Sequence, residues 1–559
     1  MTPPLTSRPR RSLLLGLLAV PPLALVAALA GCGAGSGSGT GTGGAPRAEG
    51  ATADAYRGAT TGPAGVLRRG NGPEPDSLDP HLARADSAAN VLRDFYEGLT
   101  VLDAKGEPAP GVAERWDVAA DGLTYTFHLR ADARWSNGEP VTAQDFVASW
   151  RRLVTPGTGA QYAQLLAPVV GASDAIAGRA PPAALGVQAP DARTFVVRLR
   201  SPTPYFLAVA AHWSTLPVHG GKAPGRAGQA VSNGAFVLAD WTVGSHVTAR
   251  RNRQYWNDAA TQLEEVRYFH IPDANDEYTR FRAGELDVTY VLPQQPIARL
   301  RELHGASLVT GPQLGVMYYG FNLTKPPFAN APDLRRALTM TVDRERLVAS
   351  VTNLGEPPAW SWVPLGTANY APQQPDWAAL PYAERVARAK QLYAAAGYGP
   401  GNPLRFELRF PTGATNERVA LAVSAMWKQA LGAEVKLVPE EFKSLLQSVN
   451  RGDAQAFRAS WVGDYNDAYT FLQLLQGDFG INLPKYRSRE YDALLREAAS
   501  TADPALRRER LQAAERRLLD DAPVVPLYFF VNKHLVAPRV QGWYDNPTNV
   551  VYSRHLQVR

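Results

Sequence analysis

Cysteine is almost absent from this chain: Cys32 is the only one in 559 residues. A lone thiol cannot close an internal disulfide, and Cys-rich zinc motifs are excluded for the same reason. Other signatures are missing as well. No G-x-S-x-G nucleophile elbow and no H-E-x-x-H occur, and the closest histidines, His212 and His219, stand too far apart for a helix-borne metal pair. Gly220-Gly221-Lys222 lacks the first glycine of a Walker loop, since Leu216 stands in its place, which removes ATP chemistry. One-sided charge is scarce too. The 58 basic and 52 acidic residues leave a formal +6 spread along the chain, without the basic stripe that nucleic-acid binding wants. No repeat of about 20 to 50 residues is visible, which argues against solenoids and propellers.

The longest apolar run lies at the start. Arg8, Arg10 and Arg11 precede a greasy stretch from Leu13 to Ala30, and Gly31-Cys32 ends it. Basic, apolar and small, in that order, is the layout of an export signal. The small-small-Cys ending resembles the lipobox of bacterial lipoproteins, which implies cleavage before Cys32, acylation of its thiol and a firm hold on a membrane. The competing reading is a membrane-spanning helix with an incidental cysteine, but Pro21-Pro22 interrupts the run and no positive stop follows it. Arg10-Arg11 loosely resembles a twin-arginine signal, yet paired arginines also suit the general secretory route, which is the preferred reading. Removing residues 1–31 takes three arginines and no acid, so the charge falls from +6 to +3. Beyond Cys32, GAGSGSGTGTGGAP has no side chain large enough for a core and reads as a flexible tether.

The remainder is 45% hydrophobic in the whole-chain count, ample for two or three lobes. A short strand and turn are expected over Val66–Pro80 and a helix over Asp86–Tyr96. Leu123 to Arg130 alternates aromatic or β-branched residues with polar ones, the period of a half-buried strand. Asn137-Gly138 then supplies a turn, and Thr142 with Asp145 three residues on suits a capped helix start. Farther along, helical stretches Ala383–Ala396 and Ala420–Leu431 stop at Gly397 and Gly432, and strands Leu404–Phe410 and Val435–Val438 follow them. This alternation predicts an α/β lobe. Asp76, Asp79 and His81 are close enough in sequence for a metal site, though Ser77-Leu78-Asp79-Pro80 reads more naturally as a capped turn.

An ordered set of words spans nearly the whole chain: Gly70-Asn71-Gly72-Pro73-Glu74, Ser77-Leu78-Asp79-Pro80-His81, Tyr96-Glu97-Gly98-Leu99, Pro108 through Trp116, Thr126 through Phe146, Ser232-Asn233-Gly234-Ala235-Phe236, Tyr255-Trp256-Asn257, Gly284-Glu285-Leu286-Asp287, Asp343-Arg344, and Trp461 through Asn466. Together they resemble the oligopeptide-binding proteins of ABC importers, within the extracellular solute-binding protein family 5. The resemblance implies an α/β, periplasmic-binding-protein-like fold of the type II or cluster C kind, a two-lobed clamp with an additional third domain. Its implied layout is a signal peptide over 1–31, a tether over 32–64, lobe I from 65–96, 222–314 and 553–559, an extra domain II over 97–221, and lobe III over 315–552. It implies binding without catalysis, no cofactor or metal, a monomer in the cell envelope, a peptide ligand, and a permease and ATPase complex as partner, with the membrane reached through Cys32.

The site residues follow from the same resemblance. Asp464 stands where the family's acid holds the peptide α-amine; its competing reading is a surface turn aspartate. Arg458, Ser460, Trp461 and Val462 supply the strand with which an extended peptide pairs, with Trp461 as an aromatic wall and Arg458 as a partner of the peptide carboxylate. Tyr162 matches a cleft tyrosine able to bond the peptide backbone. The pattern then departs from the family. Thr352 and Asn416 replace a lysine and a histidine, Phe442 replaces a frequent tryptophan, and Arg84 takes the place of a glutamate. Gly315 and Val462 occupy the positions of an absent disulfide. A receptor for a murein fragment or a non-peptide solute, and a secreted hydrolase with unrecognised catalytic groups, are the alternatives.

Overall fold

The computed structural model describes residues 62–222, 227–477 and 479–559. Cys32, the signal and the Gly/Ser-rich segment lie outside the described residues. In chain order come β1 (Val66–Gly70), α1 (Asp86–Phe95), β2 (Ala113–Val118), β3 (Thr124–Leu129), α2 (Ala143–Leu153), β4 (Val187–Asp191) and β5 (Thr194–Arg198). Next are β6 (Phe236–Thr242), β7 (His246–Arg251), β8 (Glu265–Phe269), β9 (Leu308–Phe321), α3 (Tyr382–Ala395), β10 (Arg405–Pro411) and α4 (Ala414–Leu431). The last are β11 (Glu434–Glu440), α5 (Phe442–Asn450), β12 (Ala456–Val462), α6 (Pro504–Asp521) and β13 (Val524–Leu535).

Three sheets carry the architecture, in the orders β1-β8-β7-β6, β2-β3-β5-β4 and β11-β10-β12-β9-β13. The half-buried alternation expected of β3 is present: Tyr125, Phe127 and Leu129 are buried while their neighbours are half-exposed. Phe127 and Phe195 pack across the sheet, and Trp150 of α2 meets Phe195 edge-on at 5.2 Å. The start of α2 is fixed as its sequence predicts, because the backbone N–H and hydroxyl of Thr142 both donate to Asp145 Oδ2 at 2.9 Å. α4 begins six residues before the expected Ala420. Its first turns, Ala-Thr-Asn-Glu-Arg-Val, are mostly polar, so apolar periodicity gives no signal there.

Asp79, His81 and Asp76 are held by protein groups. Asp79 forms a bidentate ion pair with Arg152 of α2, and His81 Nδ1 lies 2.6 Å from the same guanidinium. Burial and that cation lower the His81 pKa to about 4, so the ring is neutral and accepts the hydrogen bond. Asp76 accepts backbone N–H groups of Arg84 and Ala85.

Several words of the resemblance converge in space. Tyr255 and Trp256 both donate to the buried carboxylate of Glu97. Asn233 bonds the Glu97 backbone in both directions, at 3.1 and 2.9 Å. A Cβ on Gly234 would sit 2.5 Å from the Asp94 carbonyl oxygen, so only glycine fits this clasp. Asp287 is fully buried and answers Arg68 at 2.9 Å and Arg539 at 3.2 Å.

The first and third sheets are joined by a long ribbon. β9 and β13 pair from Leu308–Leu535 to Pro312–Val531, shift register, and pair again from Val316–Phe529 to Gly320–Val524 with a second shift between Met317 and Tyr318. Val288 bridges both Arg69 of β1 and Val536 at the ribbon's end. The first shift, between Pro312 and Val316, is a local break of the kind that bends a strand. Gln313, inside that break, faces the cavity described below. Gly315 and Val462 are directly opposed partners of β9 and β12.

Candidate functional site

Strand β12 is paired fully on one side and only briefly on the other. Seven residues, Ala456 to Val462, align with β9, but β10 aligns only with Ala456 and Phe457. The segment Arg458–Val462 therefore has one open edge, a template of backbone donors and acceptors for another extended chain. The turn that follows is braced by side chains. Asp467 receives both terminal nitrogens of Arg507 at 2.8 Å and caps Tyr469 N–H, while Asn466 Oδ1 accepts Ala368 N–H at 2.8 Å. Tyr465 stacks on Tyr205 from the second sheet's part of the chain at 4.4 Å and 4°. This bracing holds Asp464 in place.

Asp464 stands where two cavities meet, one of about 480 Å³ and one of about 1050 Å³. Tyr162, Val462 and Tyr465 line both with it. Asp464 is open to solvent through the cavity mouth, yet the surrounding walls remove enough water to push its carboxyl up to about 6. Its backbone N–H donates to Thr470 Oγ1 at 3.4 Å, and its carboxylate has no protein partner among the described residues. Tyr162 packs against His212 and Trp213, each at 5.1 Å, and Asp464 contributes to raising its hydroxyl's pKa after burial. Trp461 lines the larger cavity, which also carries Tyr205, Tyr469, Phe479 and Ile481, and its indole N–H is buried without a partner among the described residues. Arg84 lines the smaller one, with an exposed side chain.

Five other expected residues lie outside these two cavities. Arg458 points its Nη1 toward Ser460 Oγ at 3.3 Å, and burial lowers its pKa amid Tyr528, Tyr319 and Tyr318. No carboxylate pairs with it among the described residues, and its Nε is buried and unpartnered. Ser460 serves that contact. Asn416 sits in the first turn of α4 beside Gly413, where the neighbouring Thr415 donates to Gln294. Phe442 opens α5 and is 53% exposed. Thr352 is buried and donates to Glu356 at 3.0 Å. Arg93, Trp213 and Tyr290 line the smaller cavity and carried no sequence signal, because a helical arginine and isolated aromatics resemble ordinary packing residues. Another groove, of about 740 Å³ between α4, β10 and β11, carries the ion pairs Arg405–Glu434 and Lys436–Glu407.

Comparison with known proteins finds a match over residues 107–482 to the model of bacterial extracellular solute-binding proteins, family 5 Middle. The periplasmic murein peptide-binding protein MppA of Escherichia coli (strain K12) is 38% identical over 493 residues, covering 87% of this chain and 91% of that one. The periplasmic oligopeptide-binding protein OppA of the same organism is 37% identical over 516 residues, covering 90% and 95%. The solved unliganded open form of the periplasmic murein tripeptide binding protein MppA superposes with a TM-score of 0.81 at 37% identity, covering 90% of this chain and 98% of that one.

Proposed function

The chain belongs to the bacterial extracellular solute-binding proteins, family 5, and on that footing we propose that it is a lipid-anchored, extracytoplasmic peptide receptor serving an ABC importer. The observation that carries this reading is the open edge of β12 running into the unpaired carboxylate of Asp464. An extended peptide adds to such an edge through its backbone, so affinity need not depend on side-chain sequence. The ammonium at its amino end meets Asp464 in a charge-assisted hydrogen bond, and Tyr162 and Trp461 flank it. Asp464 is six residue steps of strand and turn from Arg458, roughly 20 Å at about 3.3 Å each. Once the reach of both side chains is subtracted, a short peptide spans that distance and presents its carboxylate to Arg458. Closure of the two lobes about the β9–β13 ribbon then converts occupancy into a shape the transporter distinguishes.

Acylated Cys32 and the segment after it tether the receptor as a monomer to the envelope membrane, and no bond in the ligand is broken. The similarity to relatives named for peptide binding supports this reading. A specialised peptide such as a murein fragment is the second reading, favoured by the neutral residues Thr352 and Asn416 at positions where the resemblance implied a lysine and a histidine. Native mass spectrometry of the protein as purified tests both. Peptides retained at one per chain and recovered intact are expected. Ligands lacking an amine, or sustained peptide turnover, overturn the proposal.

A further inference from the structure

The smaller cavity beside Asp464 contains more charge than an ammonium site needs. Arg84, Asp86 and Arg93 line it together with Asp464. Arg93 projects from α1 with its guanidinium 5.2 Å over the Trp213 ring, and no carboxylate reaches ion-pair distance of it among the described residues. Asp86 is seven residues earlier on the same helix, about 10 Å along the axis, too far to pair with it directly. Asp86 instead occupies the first turn of α1, where the helix dipole favours an acid. The guanidinium of Arg84 likewise has no ion-pair partner among the described residues, where only its backbone N–H is engaged, by Asp76. His212, whose ring packs on Trp213 at 3.7 Å, is neutral because burial and Arg93 hold its pKa well below the ordinary range. Among the described residues the cavity thus sets two cations without an ion pair, Arg84 and Arg93, beside two carboxylates, Asp464 and Asp86, within a volume of about 480 Å³, so that once Asp464 takes an ammonium one positive charge is left in excess. A partly desolvated guanidinium without an anion is costly unless a ligand supplies one.

Building on the peptide-receptor reading, we propose that Arg93, assisted by Arg84, binds a carboxylate carried by one of the first two residues of the ligand, so that the receptor prefers peptides acidic at their amino end. The ammonium and that carboxylate lie a few bonds apart, which matches a single cavity holding Asp464 and the two arginines. Arginine is suited to this task because its planar fork binds carboxylate through two parallel hydrogen bonds.

Calorimetry on the ligand-stripped protein with Glu-Ala-Ala, Gln-Ala-Ala, Ala-Glu-Ala and Ala-Gln-Ala tests the inference. At one of the two positions the glutamate peptide is expected to bind about tenfold or more tightly than its glutamine twin, the scale of one charge-assisted hydrogen bond. Arg93→Gln is expected to reduce that preference below about threefold, with Arg93→Lys restoring part of it. Arg84→Gln, at an exposed position where folding is not at stake, should reduce it by a smaller factor. Equal affinities for each Glu and Gln pair, or a preference that survives both glutamine variants, overturn this inference and leave the peptide reading standing. Failure of all four peptides to bind overturns both.

Discussion

Asp464 combines solvent access with walls that raise its pKa to about 6, and both properties have measurable consequences. Asp464→Ala is expected to weaken binding of a free-amine peptide by about 2–5 kcal/mol, the usual cost of leaving a buried charge unpaired. Calorimetry checks this, and an N-acetylated peptide should lose a similar amount against the unaltered protein. The pH dependence has a definite sign. Burial raises this acid, so it is protonated below about 6 in the free receptor, and only the ionised form holds an ammonium. Affinity should therefore be flat above about pH 7 and fall by up to about tenfold per unit below 6, with a proton released on binding at pH near 6. An affinity that rises on acidification contradicts the assignment. The composition of this site was only partly legible in the sequence. Asp464, Trp461 and Val462 form one local word, whereas Arg93, Tyr290 and Trp213 join them only because chain segments hundreds of residues apart fold together. Arg458 and Asn416 belong to no such contiguous wall, and their places follow from strand register and helix start.

At the scale of elements, β12 makes the strongest claim. If its free edge receives ligand backbone, single N-methylation of a bound peptide should remove one hydrogen bond and add a clash. About tenfold weaker binding is expected at alternate residues and little change between them. A uniform effect would mean that the peptide does not lie as a strand. The directly opposed pair Gly315 and Val462 gives a second test. Opposed strand residues have Cα atoms about 4.5–5.5 Å apart, within disulfide reach. A Cβ on Gly315, however, would come 2.4 Å from the Phe530 ring. Gly315→Cys with Val462→Cys should therefore oxidise poorly unless Phe530→Ala is added. The triple variant should then gain about 2–4 kcal/mol on oxidation, read by denaturant melts with and without reductant. β3, α2 and the strand and helix alternation after Tyr382 were legible because each follows a simple period and ends in a cap or glycine. The early start of α4 was not, since its first turns face water and carry no apolar pattern.

Across the whole molecule, the words that announced the family are mainly those that hold the scaffold. Glu97, Asn233, Tyr255 and Trp256 close one clasp, and Asp287 locks Arg68 and Arg539. This explains why fold was readable and ligand choice was not: a clasp tolerates few alternatives, whereas cavity walls vary without unfolding the protein. The clamp reading predicts that small-angle scattering will show a smaller radius of gyration with saturating peptide than without, and an unchanged radius would contradict it. The open edge of β12 also has a consequence for the empty receptor. Unpaired backbone ending at Val462, 48% exposed, offers a docking strip to any extended chain, including a second copy of this one. Cargo is then also a protective cover. At about 100 times its dissociation constant it adds about 2.7 kcal/mol to the folded state, and the empty protein is at its stickiest.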